Sequence, residues 1–380
     1  MTPLFLNNAR VVLPDREIDS GSVVIEDGRI ASIAEGPSGD GLDLSGLVLL
    51  PGFIDVHIHG AVGVDVLDAT SAELIGVSEY LASQGVTGWV PTFVPASDEN
   101  YASAVTAISE AAKDSAGARI VGVHYEGPFV NSAQCGALHT EYFKTYSRPE
   151  DLDFLITPFE NGVRMITLAP EVDGGVELVR ELRRRGWVIS IGHTRASIDV
   201  LDHACEAGAR HMTHFMNAMA PLHHRAPGPI AWGLSRDDVT FDVIADGIHL
   251  DPFMLRLLMK LKGERGISLI SDAIAAAGKG DGDYNIWGET ITVKDGRTSN
   301  ASGSIAGSVI SMLDAVRMMR SLGVSYVELA AIAATNPARL LGVEHECGSI
   351  EVGKRADLVA VDQAGNVKLT LVDGRIAYRA

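Results

Sequence analysis

Phe53-Ile54-Asp55-Val56-His57-Ile58-His59-Gly60 is the stretch on which the fold turns. It is an apolar, strand-forming run that ends in two histidines two positions apart. Side chains two apart on a strand point to the same side, so both imidazoles face one way at the strand's carboxyl end. Seven similar runs follow: Val86–Val94, Arg119–Tyr125, Arg164–Leu168, Trp187–Ile191, His211–Phe215, Thr240–Ala245 and Ile267–Ile270. Helical stretches separate most of them. Ser71–Ser83, Gly175–Arg185, Ser197–Ala207 and Leu255–Lys262 are each followed closely by a glycine, the usual stop. Eight buried strands with crossover helices predict an α/β fold, a (β/α)8 TIM-type barrel, with a doubly wound open sheet as the competitor.

The unusual polar residues decide between the two. His57 and His59 end the first run, Glu126 follows the third, His193 follows the fifth, His214 ends the sixth and Asp272 follows the eighth. All fall at carboxyl ends. A closed barrel gathers those ends around one mouth, whereas an open sheet spreads them along a line.

Working outward, both termini read as short strands. Leu4–Leu6, Val11–Leu13, Ser22–Glu26 and Ile30–Ala34 lie at one end, and Asp357–Val361 and Val367–Val372 at the other. Asp27-Gly28-Arg29-Ile30 repeats as Asp373-Gly374-Arg375-Ile376, and Asp-Gly is a tight-turn pair. We expect residues 1–50 and 350–380 to build one small β-sandwich domain and 51–349 to form the barrel.

The chain of 380 residues carries a net charge of −18, which argues against nucleic acid and acidic membrane surfaces as partners. No run of about 20 apolar residues is present to span a bilayer, and the first residues lack the basic-then-apolar pattern of a secretory signal. Cys135, Cys205 and Cys347 lie far apart, which points to a reducing cytoplasm rather than a disulfide framework. The acidic balance also repels a phosphorylated substrate, so a phosphate site would need its own local cations.

Read singly, these residues have ordinary explanations. His57-x-His59 could be two satisfied histidines near a turn, Asp272 a helix cap, and Arg225 a surface charge. Together, imidazoles and carboxylates at matching strand ends suit a divalent metal. Such an ion can make water a nucleophile near neutral pH and polarise an amide carbonyl, and a carboxylate beside it can shuttle the proton.

The motifs then resemble those of one family in order along nearly the whole chain. Pro51-Gly52-Phe53-Ile54-Asp55-Val56-His57-Ile58-His59-Gly60 looks like the opening motif of the amidohydrolase superfamily. His124-Tyr125-Glu126-Gly127-Pro128-Phe129 narrows the likeness to the N-acetylglucosamine-6-phosphate deacetylase family. Gly192-His193-Thr194, Thr213-His214-Phe215-Met216-Asn217-Ala218-Met219, His224-Arg225-Ala226-Pro227-Gly228, Asp246-Gly247-Ile248-His249 and Ser271-Asp272-Ala273 continue it. The resemblance implies a main metal on Glu126, His193 and His214, and a second metal position completed by His57 and His59. That is one or two ions per chain, with zinc ahead of iron, manganese or cobalt. It implies Asp272 as general base and then acid. It also implies substrate contacts at Ala137, Asn217, Ala218, Arg225, Asp246 and His249 and at Ile305-Ala306-Gly307, with His139 as a carbonyl contact.

Some positions depart from the family pattern. Leu138 intervenes between Gly136-Ala137 and His139, and Asn285-Ile286-Trp287-Gly288-Glu289 replaces a more usual Leu-Gly-Gly. The implied activity is hydrolysis of N-acetyl-D-glucosamine 6-phosphate, a small amino-sugar phosphate, by a cytoplasmic homodimer or homotetramer. The alternatives are the galacto epimer, another amidohydrolase, or a binding or scaffold protein on the same fold. Many other amidohydrolases place a carboxylated lysine on the fourth strand, and Val163 to Pro170 offers none. A scaffold would have lost ligands or the base, and none is lost.

Overall fold

The structure, a computed structural model, describes residues 3–113 and 116–380. Eight parallel strands run Phe53–Ile58, Val86–Phe93, Gly122–Glu126, Val163–Leu168, Val188–Ile191, His211–Met212, Thr240–Ile244 and Ile267–Ile270, each paired with the next in chain order. The first and last meet through backbone bonds: Asp272 N donates to His57 O at 2.9 Å and His59 N to Ala273 O at 2.8 Å. The sheet therefore closes, as the polar strand ends required, and the open-sheet alternative falls. Ile54, Val56, Val90, Met165, Ile244 and Ile270 fill the interior, with Ala338, Leu341 and Cys347 packed against them.

Strand and helix bounds shift modestly from expectation. Glu126 ends the third strand rather than following it, and the sixth stops at Met212, leaving His214 in the turn beyond. The first crossover helix runs Ser71–Ser83, as expected, and is capped by Thr70. Thr70 Oγ1 accepts from Glu73 N at 3.3 Å and Glu73 Oε2 accepts from Thr70 N at 2.8 Å, a capping box. A helix at Asp98–Ala111 had no counterpart in the pattern reading, and a further helix, Met312–Ser321, is capped by Ser311.

Both chain ends join in one eight-stranded sheet. Its order is Arg375–Arg379, Val367–Val372, Leu358–Val361, Val48–Pro51, Leu4–Val12, Glu17–Glu26 and Arg29–Glu35, with Leu42–Asp43 beside Leu4–Val12. Leu6, Val11, Val23, Leu49, Leu358 and Leu369 give it a core of its own. The repeated Asp-Gly turns explain how the sheet curls. Asp27, Gly28, Asp373 and Gly374 all have φ between 48° and 79°, and the two turns abut. A Cβ on Gly28 would come within 2.9 Å of Asp373 O, and one on Gly374 within 2.8 Å of Gly28 Cα, so glycine is required at both.

After the eighth strand the chain forms a small antiparallel sheet, Gly282–Ile286, Glu289–Lys294 and Arg297–Ser299. Its Ile286, Ile291 and Val293 pack on Ile274, Ala275 and Ala306, which fixes the turn Trp287-Gly288 over the barrel mouth.

Barrel closure also rests on Asp55, which is fully buried. Its carboxylate accepts from Ser271 Oγ at 2.5 Å and from Ser271 N at 3.2 Å, linking the first strand to the end of the eighth. Burial pushes this carboxyl up to about 6, against the pull of the Ser271 hydrogen bonds. Asp55→Ala strands the buried Ser271 donors, and we expect a loss of about 3 kcal/mol in unfolding free energy. Urea denaturation checks it.

Candidate active site

At the barrel mouth, alternation along the first strand points His57 and His59 inward together, with Nε2 atoms 3.2 Å apart. Glu126 comes from the third strand end, His193 from the turn after the fifth, His214 from the turn after the sixth, and Asp272 from the turn after the eighth. Glu126 Oε1 lies 3.0 Å from His193 Nε2 and 2.9 Å from His214 Nε2. It is also 3.5 Å from His57 Nε2, while its Oε2 is 3.4 Å from His59 Nε2. Asp272 Oδ1 is 3.2 Å from His59 Nε2 and 3.4 Å from His57 Nε2. The result is two adjoining donor groups, Glu126–His193–His214 and His57–His59–Asp272, each with ligand atoms within 4.8 Å of one another. All six residues are buried.

The backbone is bent to make this possible. His193, His214, Ala218 and Asp272 have φ of 48°, 31°, 49° and 50°, a region that side-chain-bearing residues rarely occupy. Such conformations persist where the surrounding structure enforces them, and they concentrate at functional sites. Supporting contacts enforce the ring orientations. His193 Nδ1 faces Gln134 O at 2.8 Å and His59 Nδ1 faces Thr92 O at 3.1 Å. Each carbonyl can only accept, so each Nδ1 carries a proton, and each Nε2 faces the centre as the atom that would meet an ion. Asp242 accepts from the His214 backbone N–H and pairs with His211 Nε2 at 3.0 Å. His124, whose ring stands edge-on to His57, is held well below its ordinary value by burial and by its histidine neighbours.

Electrostatically the centre favours anionic oxygen. Burial pushes Glu126 up, but His57, His193 and His214 outweigh it and hold the carboxyl well below its usual range. Asp272 is likewise held low by His57 and His59 against the effect of burial. Burial pulls His59 and His214 down, but hydrogen bonds to the carboxylates raise them to about 10 and about 9. Carboxylates that raise an imidazole's affinity for a proton also raise it for a divalent cation. Buried imidazole nitrogens and carboxylate oxygens converging at these distances fit a divalent metal ion.

The centre opens into a cavity of about 510 Å3. Among the expected substrate residues, Ala137, Asn217, Ala218, His249, Ile305 and Gly307 line it. Asp246 does not line it but fixes His249, taking the imidazole at 2.6 Å from Nδ1 and the His249 backbone N–H at 2.8 Å. Ala306 is buried behind the lining. His139 lies outside the cavity and pairs with Glu141 at 3.2 Å, so the inserted Leu138 takes the lining position instead. Arg225 is exposed on the loop after the sixth strand and is not among the residues that line the cavity, and it makes no ion pair among the described residues. The sequence reading did not find Gln134, Thr92 and Asp242, which act through backbone carbonyls or from within strands and carry no motif. Trp287 was visible only as a departure from pattern, yet it lines the cavity.

A closed barrel with buried histidine and carboxylate donors at its carboxyl face defines a metal-dependent amidohydrolase, and the sequence profile of the amidohydrolase family matches residues 48–377: the chain belongs to that family. Within it, the chain's relatives are hexosamine-phosphate deacetylases. It is 38% identical to N-acetylglucosamine-6-phosphate deacetylase of Bacillus subtilis, over 99% of this chain and 97% of that protein. It is 35% identical to N-acetylgalactosamine-6-phosphate deacetylase of Escherichia coli O157:H7, over 98% of each. A solved structure of the N-acetyl-D-glucosamine-6-phosphate deacetylase of Mycobacterium smegmatis, a mutant in complex with N-acetyl-D-glucosamine-6-phosphate, superposes with a TM-score of 0.91. It is 30% identical and covers 99% of this chain and 100% of that one.

Proposed function

We propose that this protein deacetylates N-acetyl-D-glucosamine 6-phosphate to D-glucosamine 6-phosphate and acetate, a step of amino-sugar catabolism. The observation that carries the reading is a pair of adjoining buried histidine–carboxylate groups, one of them containing Asp272, at the floor of a cavity large enough for a sugar phosphate. The names of the full-length relatives and the ligand of the Mycobacterium structure support it.

Glu126, His193 and His214 would hold the main ion, and His57 and His59 would complete a second position. One or two ions per chain are assigned, zinc ahead of iron, manganese or cobalt. A divalent ion there supplies Lewis acidity, making water a stronger acid and the amide carbonyl a better electrophile. Asp272, held anionic by its histidine neighbours, accepts a proton from the attacking water. The water oxygen bonds to the acetyl carbon, the carbon–nitrogen bond breaks, and Asp272 returns the proton to the leaving nitrogen. Asn217, the Ala218 amide and His249, oriented by Asp246, are assigned to the sugar phosphate. Ala137 and the Ile305-Ala306-Gly307 loop are assigned to the sugar face. Three free cysteines and no disulfide among the described residues accord with a cytoplasmic setting. No helix among those residues is long and apolar enough to cross a membrane.

Arg225, exposed and not among the lining of its own cavity, is assigned to the phosphate bound by a neighbouring chain in a homodimer or homotetramer. Guanidinium is the natural partner for a phosphate dianion. Arg225→Ala should raise KM for the 6-phosphate sugar by about 10-fold or more, since a charge-assisted contact is worth about 1.5–3 kcal/mol, and should leave the unphosphorylated sugar nearly unaffected. Equal losses on both substrates would remove Arg225 from the phosphate site. The function itself is tested by a panel of N-acetylglucosamine and N-acetylgalactosamine, each with and without 6-phosphate. The expected best substrate is the gluco 6-phosphate. Faster turnover of the galacto epimer would reassign the enzyme to the activity named for its Escherichia coli relative, and no turnover of any would overturn the reading.

A further inference from the structure

Trp287 has no role in the account so far. It occupies the first position of the two-residue turn Trp287-Gly288, whose flanking residues Ile286 and Glu289 are paired. Both turn residues have positive φ, 54° and 77°. This is the type I′ geometry, for which asparagine followed by glycine is favoured. A bulky aromatic residue is disfavoured in the left-handed region, so turn formation does not account for tryptophan here. An outlier of this kind points to a task for the side chain.

The side chain lies at the reacting end of the cavity. Trp287 lines the same space as Asp272, and its ring stands edge-on to His59, with centroids 5.4 Å apart and planes at 84°. It packs against the apolar cluster of Ile274, Ile286, Ile291 and Ala306 that anchors the small sheet, so the indole is held as a wall. Around the barrel mouth, Asp272 from the eighth strand lies between His249, which follows the seventh, and His59, which ends the first. On the proposed reading, a substrate with its sugar phosphate on the His249 side and its amide carbon beside Asp272 would carry its acyl group toward His59 and Trp287.

We infer that Trp287 is a specificity-determining residue that sets acyl length: the indole wall beside His59 leaves room for the methyl of an acetyl group and excludes longer chains. The inference deepens the deacetylase reading and rests on it. It predicts discrimination between N-acetyl, N-propionyl and N-butyryl glucosamine 6-phosphate that belongs to this one side chain. A single methylene in an apolar pocket is worth about 10–200-fold in kcat/KM.

The test compares kcat/KM for the three acyl substrates in wild-type, Trp287→Phe and Trp287→Asn enzymes, each loaded with metal. Trp287→Asn supplies the residue the turn prefers, so its Tm should equal or exceed that of wild type, which separates a folding defect from a change in selectivity. The butyryl-to-acetyl ratio should rise by at least about 10-fold in Trp287→Asn, with Trp287→Phe between it and wild type. A folded Trp287→Asn enzyme with an unchanged ratio overturns the inference, whether its acetyl activity is kept or falls equally on all three substrates. A wild-type enzyme inactive on every acyl sugar phosphate would instead defeat the deacetylase reading, and the inference with it.

Discussion

Asp272→Asn should lower kcat for deacetylation by at least about 10²-fold while substrate still binds. The substitution keeps the shape of the side chain and removes its ability to take a proton. In the native site Asp272 Oδ1 sits 3.2 Å from His59 Nε2, and the two histidines hold the carboxyl below its ordinary value, so it is available as a base. Sugar and phosphate contacts are assigned elsewhere, to Asn217, Ala218 and His249, so KM should change little. Because Asp272 also shares a donor group with His57 and His59, metal content must be measured in the same variant. Retained metal with lost turnover supports proton transfer. Lost metal would reduce Asp272 to a ligand, and near-normal kcat would move the base to another residue.

Glu126→Gln should have an effect as large, by a different route. Glu126 touches both donor groups, through Oε1 to His193, His214 and His57 and through Oε2 to His59. The amide removes the negative charge that those imidazoles face and replaces one acceptor with a donor. We expect metal affinity at least about 10²-fold weaker and activity falling with occupancy, since the loss of even an outer-shell partner typically costs 10–100-fold. Metal analysis after dialysis against a graded chelator checks this. Wild-type occupancy in Glu126→Gln would show that the histidines suffice and that Glu126 is not a principal ligand.

Much of this architecture was legible in the residues. His57-x-His59 at the end of an apolar run fixed the facing of two imidazoles by strand alternation alone. The recurrence of polar residues at carboxyl strand ends selected a closed barrel. Strand-like runs at both ends around an α/β centre suggested one shared β domain, and the structure joins both ends in one sheet with the two Asp-Gly turns in contact. What escaped reading has physical reasons. Gln134 and Thr92 orient His193 and His59 through backbone carbonyls, which every residue possesses. Asp55 looks like one more strand residue until the eighth strand brings Ser271 against it. Trp287 could not be valued from sequence, because its importance comes from where a hairpin places it, in the cavity wall beside His59.

The central claim is that a metal held by buried histidines and carboxylates enables the chain to hydrolyse the acetamide of a hexosamine 6-phosphate. It is tested most directly by following acetate release from N-acetyl-D-glucosamine 6-phosphate by NMR, with enzyme stripped by chelator and then titrated with zinc, iron, manganese or cobalt. The account predicts that release stops in the stripped enzyme and returns in proportion to added ion, saturating at one to two equivalents per chain. Undiminished acetate release from metal-free protein would contradict it.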